Sequence, residues 1–199
     1  MLYIFAKVFL KWIMALVLRP FVLHRENLRS KGKVIFVCNH VAMPDPIAIA
    51  LVSNRVIHFM AKAELFESRV SRLFYDSLLV FPVSPASADL KSIKKAINLL
   101  NKGKAFGMFP EGHRSATQFD MDIMHRGAAY IATRADAPII PIYLDPHSWD
   151  KGHRIRMAVG EAIVPSKVRE QVTSMKYVNA VTDRIADAFN SLREELGSA

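Results

Sequence analysis

Residues 34–52 read VIFVCNHVAMPDPIAIALV. Val34 to Cys38 is an unbroken apolar run, the pattern of a strand buried on both faces, as in a parallel sheet covered by helices. Asp45 and Pro46 then open a short helix that runs to Val52. A buried strand that leads straight into a helix is the first half of a β-α-β unit, so the fold is decided here. Outward from it the alternation continues: 57–61, 78–83, 105–109, Ile139–Leu144 and 155–159 read as further strands. Between 89 and 101, Leu90, Ile93, Ile97 and Leu100 recur at helical spacing and Gly103 supplies the stop. A helix over 126–134 follows, and a closing amphipathic helix over 174–196 carries Val178, Val181, Ile185, Phe189, Leu192 and Leu196 on one side. The expected fold class is α/β, a single domain with a largely parallel mixed sheet flanked by helices. No internal repeat or low-complexity stretch interrupts it.

The chain has 199 residues, 51% of them hydrophobic, and 27 Lys and Arg against 18 Asp and Glu give a net charge of +9. Such a balance favours an anionic partner, either nucleic acid or an anionic bilayer. The cations are scattered and the apolar content is high, so the membrane surface is expected and nucleic acid is not. A lone Cys38 excludes an intramolecular disulfide framework and a multi-Cys zinc site, and fits a reducing compartment. His147 and His153, six residues apart in a polar loop, match no standard metal spacing, and no metal is expected.

Segment 1–23, MLYIFAKVFLKWIMALVLRPFVL, needs separate treatment. Its longest uncharged run, from Trp12 to Leu18, is far short of the ~20 apolar residues that span a bilayer, and no A-x-A cleavage pattern follows. On a helix Lys7, Lys11 and Arg19 fall within an arc of roughly 120°, leaving a broad apolar face. That is the layout of a helix lying in the membrane interface, although packing on the protein's own core would also use such a face. The expected organisation is therefore 1–23 as an amphipathic membrane-associating helix and 24–199 as the folded domain, at the cytoplasmic face of the cell membrane.

Two constellations carry chemistry. In the first, His40 and Asp45 stand five residues apart at the exit of a buried strand, the end of a sheet where ligands collect. Pro44 and Pro46 fix the course of the connection, so Asp45 can turn back onto the imidazole, set its tautomer and leave the other nitrogen as a base. Asp45 as a simple helix N-cap is the alternative. The second is Phe109-Pro110-Glu111-Gly112-His113-Arg114-Ser115, where a strand ends in a turn that presents a carboxylate, a guanidinium and a hydroxyl beside backbone amides. Such a turn can hold a phosphate or an oxyanion, or be merely solvated.

Together these residues resemble the glycerolipid acyltransferases typified by 1-acylglycerol-3-phosphate acyltransferase. Asn39-His40 through Asp45 is similar to that family's N-H-x-x-x-x-D block, and Phe109 to Ser115 to its F-P-E-G-T-R-S block except at His113. Ala61-Lys62-Ala63-Glu64-Leu65-Phe66, Arg126-Gly127-Ala128-Ala129 and Pro138 to Ile142 resemble further blocks in the family's order, over roughly residues 33 to 145. The resemblance implies that His40 is the base and Asp45 orients it, with Glu111 and Arg114 on the acceptor's glycerol phosphate and Gly112 making the turn. Ser115 and Lys62 complete the expected substrate-binding set, and Pro141 is structural or lines the acyl site. The implied reaction is direct transfer of an acyl group from acyl-CoA or acyl carrier protein, a co-substrate rather than a cofactor, to the hydroxyl of a lysophospholipid such as lysophosphatidate. One departure stands out: the family usually carries an Arg after its third strand, and here Phe81-Pro82-Val83 continues as Ser84-Pro85. A phosphate monoester would lose one charge-assisted contact, so a different lysolipid, or compensation by Lys62, His113 or Lys91, is open.

Two rival readings belong to other classes. Cys38 would face the same side as His40 and could serve as a covalent nucleophile, although a lone Cys is usually a small buried hydrophobe. A non-catalytic lipid-binding protein on the same frame is the other.

Overall fold

A computed structural model describes residues 19–53, 55–83, 90–110, 121–152, 154–171 and 176–199, with 121–125 as backbone only. In chain order the elements are β1 (Phe21–Leu23), β2 (Val34–Cys38), α1 (Asp45–Val52), β3 (Ile57–Lys62), α2 (Arg69–Ser77), β4 (Val80–Val83), α3 (Leu90–Asn101), β5 (Ala105–Met108), α4 (Met121–Ala135), β6 (Ile139–Leu144), β7 (Arg156–Val159), α5 (Pro165–Arg169) and α6 (Tyr177–Ser198). The strands form one sheet in the order β1-β7-β6-β2-β5-β3-β4. Every pairing is parallel except β6 with β7.

β2 lies in the middle, between β6 and β5, and all five of its residues are buried. That is why its sequence is continuously apolar rather than alternating. Its even positions Val34, Phe36 and Cys38 belong to one buried cluster and its odd positions Ile35 and Val37 to the other. Each fully buried side chain of this kind contributes about 1.5–3 kcal/mol, and truncating Phe36 to Ala would cost about 3–5 kcal/mol.

Crossover handedness decides which helix covers which face. The β2-to-β3 and β3-to-β4 connections run toward one edge and the β4-to-β5 and β5-to-β6 connections run back, so right-handed crossovers put α1 and α2 on one face and α3 and α4 on the other. The clusters agree: Ala48, Ile49 and Val52 of α1 join Cys38, while Leu100, Ala128 and the α6 residues Val181, Ile185 and Phe189 join Val37. The α1 face is called the front below.

Several expected boundaries move. The strand read over 78–83 begins at Val80, because Leu78 caps α2 and Leu79 turns through φ 61°. α4 starts at Met121, five residues before the expected start. Residues 1–18 of the segment read as an interfacial helix lie outside the described residues. Its last three, Phe21–Leu23, are not helical but pair with β7, once Arg19 at φ 38° and Pro20 have broken the course of the chain. α2 has no counterpart among the elements expected from the sequence. Ser68 caps it by accepting from Ser71 N at 3.0 Å, and none of its nine residues is buried.

Candidate active site

The site is built where β2 ends. Asn39 is 1% exposed, and its amide forms a two-way clamp on the last residue of β6: Oδ1 accepts from Leu144 N at 2.7 Å and Nδ2 donates to Leu144 O at 2.7 Å. This locks the exits of two neighbouring strands together. His40 follows immediately, so its position inherits that lock.

Asp45 is completely buried at the start of α1. Its Oδ2 accepts from His40 Nδ1 at 2.8 Å, from Val41 N at 2.7 Å and from Ala42 N at 2.8 Å. A carboxylate here can only accept, so in the neutral imidazole Nδ1 carries the proton and Nε2 keeps a lone pair. The capping alternative does not describe this geometry. An N-cap side chain accepts from amides one turn into its helix, whereas Ile47 N and Ala48 N bond to Pro44 O at 2.9 and 3.0 Å. Asp45 instead reaches backward around the 40–42 turn, and its charge also sits at the favourable end of the α1 dipole.

A residue that sequence reasoning missed completes the carboxylate's shell. Trp149 Nε1 donates to Asp45 Oδ1 at 2.8 Å from the 3₁₀ segment Pro146–Trp149 that follows β6. The two residues are 104 positions apart, and no local pattern could have joined them.

The imidazole is also held by its face. Phe109, just past β5, stacks on His40 with ring centroids 4.3 Å apart and 26° between planes. Phe59 of β3 stacks in turn on Phe109 at 6.0 Å. The row crosses β5 at Gly107, where any Cβ would overlap the Phe59 ring and Ile57. Gly107 is therefore glycine for space: Phe59 lies over it and supports Phe109. The His40 side chain remains 20% exposed, so the ring is walled but reachable.

Of the expected substrate-binding residues, Glu111, Gly112, Arg114 and Ser115 lie outside the described residues, as do Ser84 and Pro85. Phe109 and Pro110, which lead into them, stand at the same edge of the sheet as His40. Lys62 is the last residue of β3 and is exposed. Strand alternation places it with Met60, which packs on the back-face cluster, and not with Phe59. Cys38 is 1% exposed inside the front cluster, which seals the thiol of the covalent rival away from a thioester. His147 pairs with Asp150 at 2.9 Å on the surface, and that hydrogen bond raises its pKa; His153 is outside the described residues.

An α/β sheet with a buried carboxylate orienting a reachable imidazole at its strand exits is the class of site that supports proton abstraction from a substrate hydroxyl. Comparison with known proteins narrows it. Residues 19–145 match the family model described as Acyltransferase. The 1-acyl-sn-glycerol-3-phosphate acyltransferase of Bacillus subtilis is 31% identical over 184 residues, 86% of this chain and 88% of that protein. The Streptococcus pneumoniae protein of the same name is 30% identical over 168 residues, 81% of this chain and 61% of that one. Among solved structures, the 1-acyl-sn-glycerophosphate acyltransferase of Thermotoga maritima superposes with a TM-score of 0.66 over 92% of this chain and 76% of that one, at 21% identity, and so speaks for the fold. The chain belongs to the acyltransferase family and is an O-acyltransferase.

Proposed function

We propose that the enzyme transfers a fatty acyl group from acyl-CoA or acyl carrier protein to the free hydroxyl of 1-acylglycerol-3-phosphate, giving phosphatidate, with His40 as general base. The observation that carries the reading is the 2.8 Å hydrogen bond from His40 Nδ1 to a buried Asp45, which leaves Nε2 as the proton acceptor. As the acceptor's hydroxyl oxygen attacks the thioester carbonyl, Nε2 takes its proton, and Asp45 stabilises the imidazolium that forms. Collapse of the tetrahedral intermediate expels the thiolate, and the proton on Nε2 passes to it. No covalent acyl-enzyme and no cofactor are needed.

Glu111 and Arg114 take the acceptor's glycerol phosphate in this reading, Gly112 makes the turn and Ser115 adds a contact, while Lys62, on the side of Met60, is left out of the set. The relatives' names support a lysophosphatidate acceptor. Ser84-Pro85, which removes a family cation, favours testing other lysolipids beside it. The working position is the cytoplasmic face of an anionic membrane, with the N-terminal segment lying in the interface and the remainder as the catalytic domain. Two things support it: the net charge of +9, and apolar side chains left in solvent on the front face. Met43 and Ile47 flank the His40 turn at 68% and 39% exposure, and Val70, Leu73 and Phe74 of α2 reach 55% or more. Among the described residues no helix is long and apolar enough to cross a membrane.

The test is turnover of labelled oleoyl-CoA against a panel of lysophospholipids by the whole chain and by His40→Ala and Arg114→Ala. The reading expects lysophosphatidate to be the best acceptor, His40→Ala to abolish turnover, and Arg114→Ala to raise KM for the acceptor. Undiminished turnover by folded His40→Ala would remove the base mechanism, and a preference for an acceptor without a phosphate monoester would remove the substrate assignment.

A further inference from the structure

We infer that Trp149 is a positioning residue of the acyl-transfer site: its indole N–H fixes the rotation of the Asp45 carboxylate that keeps Oδ2 on the His40 imidazole. The inference rests on the reading of His40 as the base. The terminal torsion of an Asp side chain is broad and soft, so what holds a carboxylate in one rotation is what bonds each oxygen. The three donors on Oδ2 all come from residues 40–42, a turn only a few residues from Asp45 in the chain. They set the local distance, but they tie the turn to nothing beyond itself.

Trp149 supplies that outside tie. Its segment is itself anchored: Asp145 accepts from His147 N at 2.9 Å, while Ser148 Oγ donates to Arg156 O at 3.2 Å and accepts from Arg156 N at 3.0 Å. Upstream, the Asn39 amide already joins the exit of β2 to Leu144 at the end of β6. The exits of β2 and β6 are thus joined twice, first through Asn39 and Leu144, then through Asp45 and Trp149, and His40 lies in the stretch of chain between the two ties. A closed ring of contacts leaves the imidazole little freedom to swing off its carboxylate. Without the indole donor, Oδ1 of a fully buried charge is unpartnered, and the carboxylate gains by rotating to share its donors between both oxygens.

The indole also packs on the front cluster, so the N–H must be tested apart from the ring. The chain has two tryptophans. In a Trp12→Phe background, residue-specific replacement of the remaining tryptophan by benzothienylalanine exchanges N–H for sulfur while keeping the shape; the control is the same background with ordinary tryptophan. Assays use 1-oleoyl-lysophosphatidate and oleoyl-CoA. We expect kcat to fall about tenfold to a hundredfold with both KM values within about twofold, the loss of one hydrogen bond to a charged acceptor acting on the reacting group alone. Long-range ¹H–¹⁵N spectra should show His40 passing from a single Nδ1–H tautomer to a mixture. Unchanged kcat and tautomer would overturn the inference. A fall in kcat with a lower melting temperature and an unchanged tautomer would overturn it too, because that is what a packing role alone produces. His40→Ala keeps the two readings separable: if it still turns over, the base mechanism has failed, whereas a dead His40→Ala beside an unaffected analogue sinks only the role of Trp149.

Discussion

Replacing Asp45 by Asn tests the site with a change of one atom. Four N–H groups converge on the carboxylate at 2.7–2.8 Å, three on Oδ2 and one on Oδ1. An amide offers one acceptor oxygen and one NH2 group, so one side must meet donor with donor. The less damaging orientation keeps the oxygen toward His40, Val41 and Ala42 and turns the NH2 against the Trp149 N–H. His40 then keeps its Nδ1–H tautomer but loses the negative charge beside the imidazolium. Two unit charges about 4 Å apart, at an effective dielectric constant of about 20, interact by about 4 kcal/mol, which corresponds to a fall in kcat of roughly a thousandfold. Stability changes less, because the three retained bonds each weaken by about 1 kcal/mol while the cost of burying a charge disappears. The measurement is thiol release from oleoyl-CoA in the presence of lysophosphatidate, with a thermal melt of the same preparation. If the folded Asp45→Asn enzyme retains kcat within about tenfold of the parent, Asp45 is not the electrostatic partner of the base and the reasoning is wrong.

Other consequences are simpler to state. Gly107→Ala would drive a methyl into Phe59, so a loss of about 1–3 kcal/mol and a melting temperature lower by several degrees are expected, with kcat reduced as Phe109 shifts off His40. His58 of β3 is held below its ordinary pKa of 6.5, first by burial, against which its bond to Ala105 O works, and then by Lys104 and Lys95. The unfolded chain therefore binds the extra proton first, so this group's contribution is present above pH 6.5 and is lost as pH falls through 6.5 toward the folded value. Melts of His58→Gln should be flatter than the parent across that window. Leu73→Glu with Phe74→Glu places two charges on the outward face of α2. If that face rests on lipid, co-sedimentation with phosphatidylglycerol vesicles should weaken several-fold while turnover of a short-chain soluble acceptor persists. Unchanged binding, or a change in oligomeric state, would mean that another surface meets the lipid or that a second copy covers this one.

What could be read along the chain divides by the range of the interactions involved. β2, α1 and β6 were legible because burial on both faces, or a proline-opened turn, writes its own composition within five to eight residues. The His40–Asp45 pair was legible for the same reason, since a five-residue connection leaves the carboxylate no distant place to go. β1 was not, because three residues become a strand only when β7, more than a hundred positions away, offers its edge. α2 has no inward apolar stripe to read, because its large apolar residues Val70, Leu73 and Phe74 point outward, and only Ser68 marks its start. Trp149 is the sharpest case. Nothing around Pro146–Trp149 signals a donor to an acid in the first quarter of the chain, and the one usable hint was general: the segment leaves a buried strand at the edge of the sheet where ligands collect. The local code of this fold therefore brings His40 and Asp45 together, while the restraint on the pair comes from contacts such as Asn39–Leu144 and Asp45–Trp149, which exist only once the sheet has assembled.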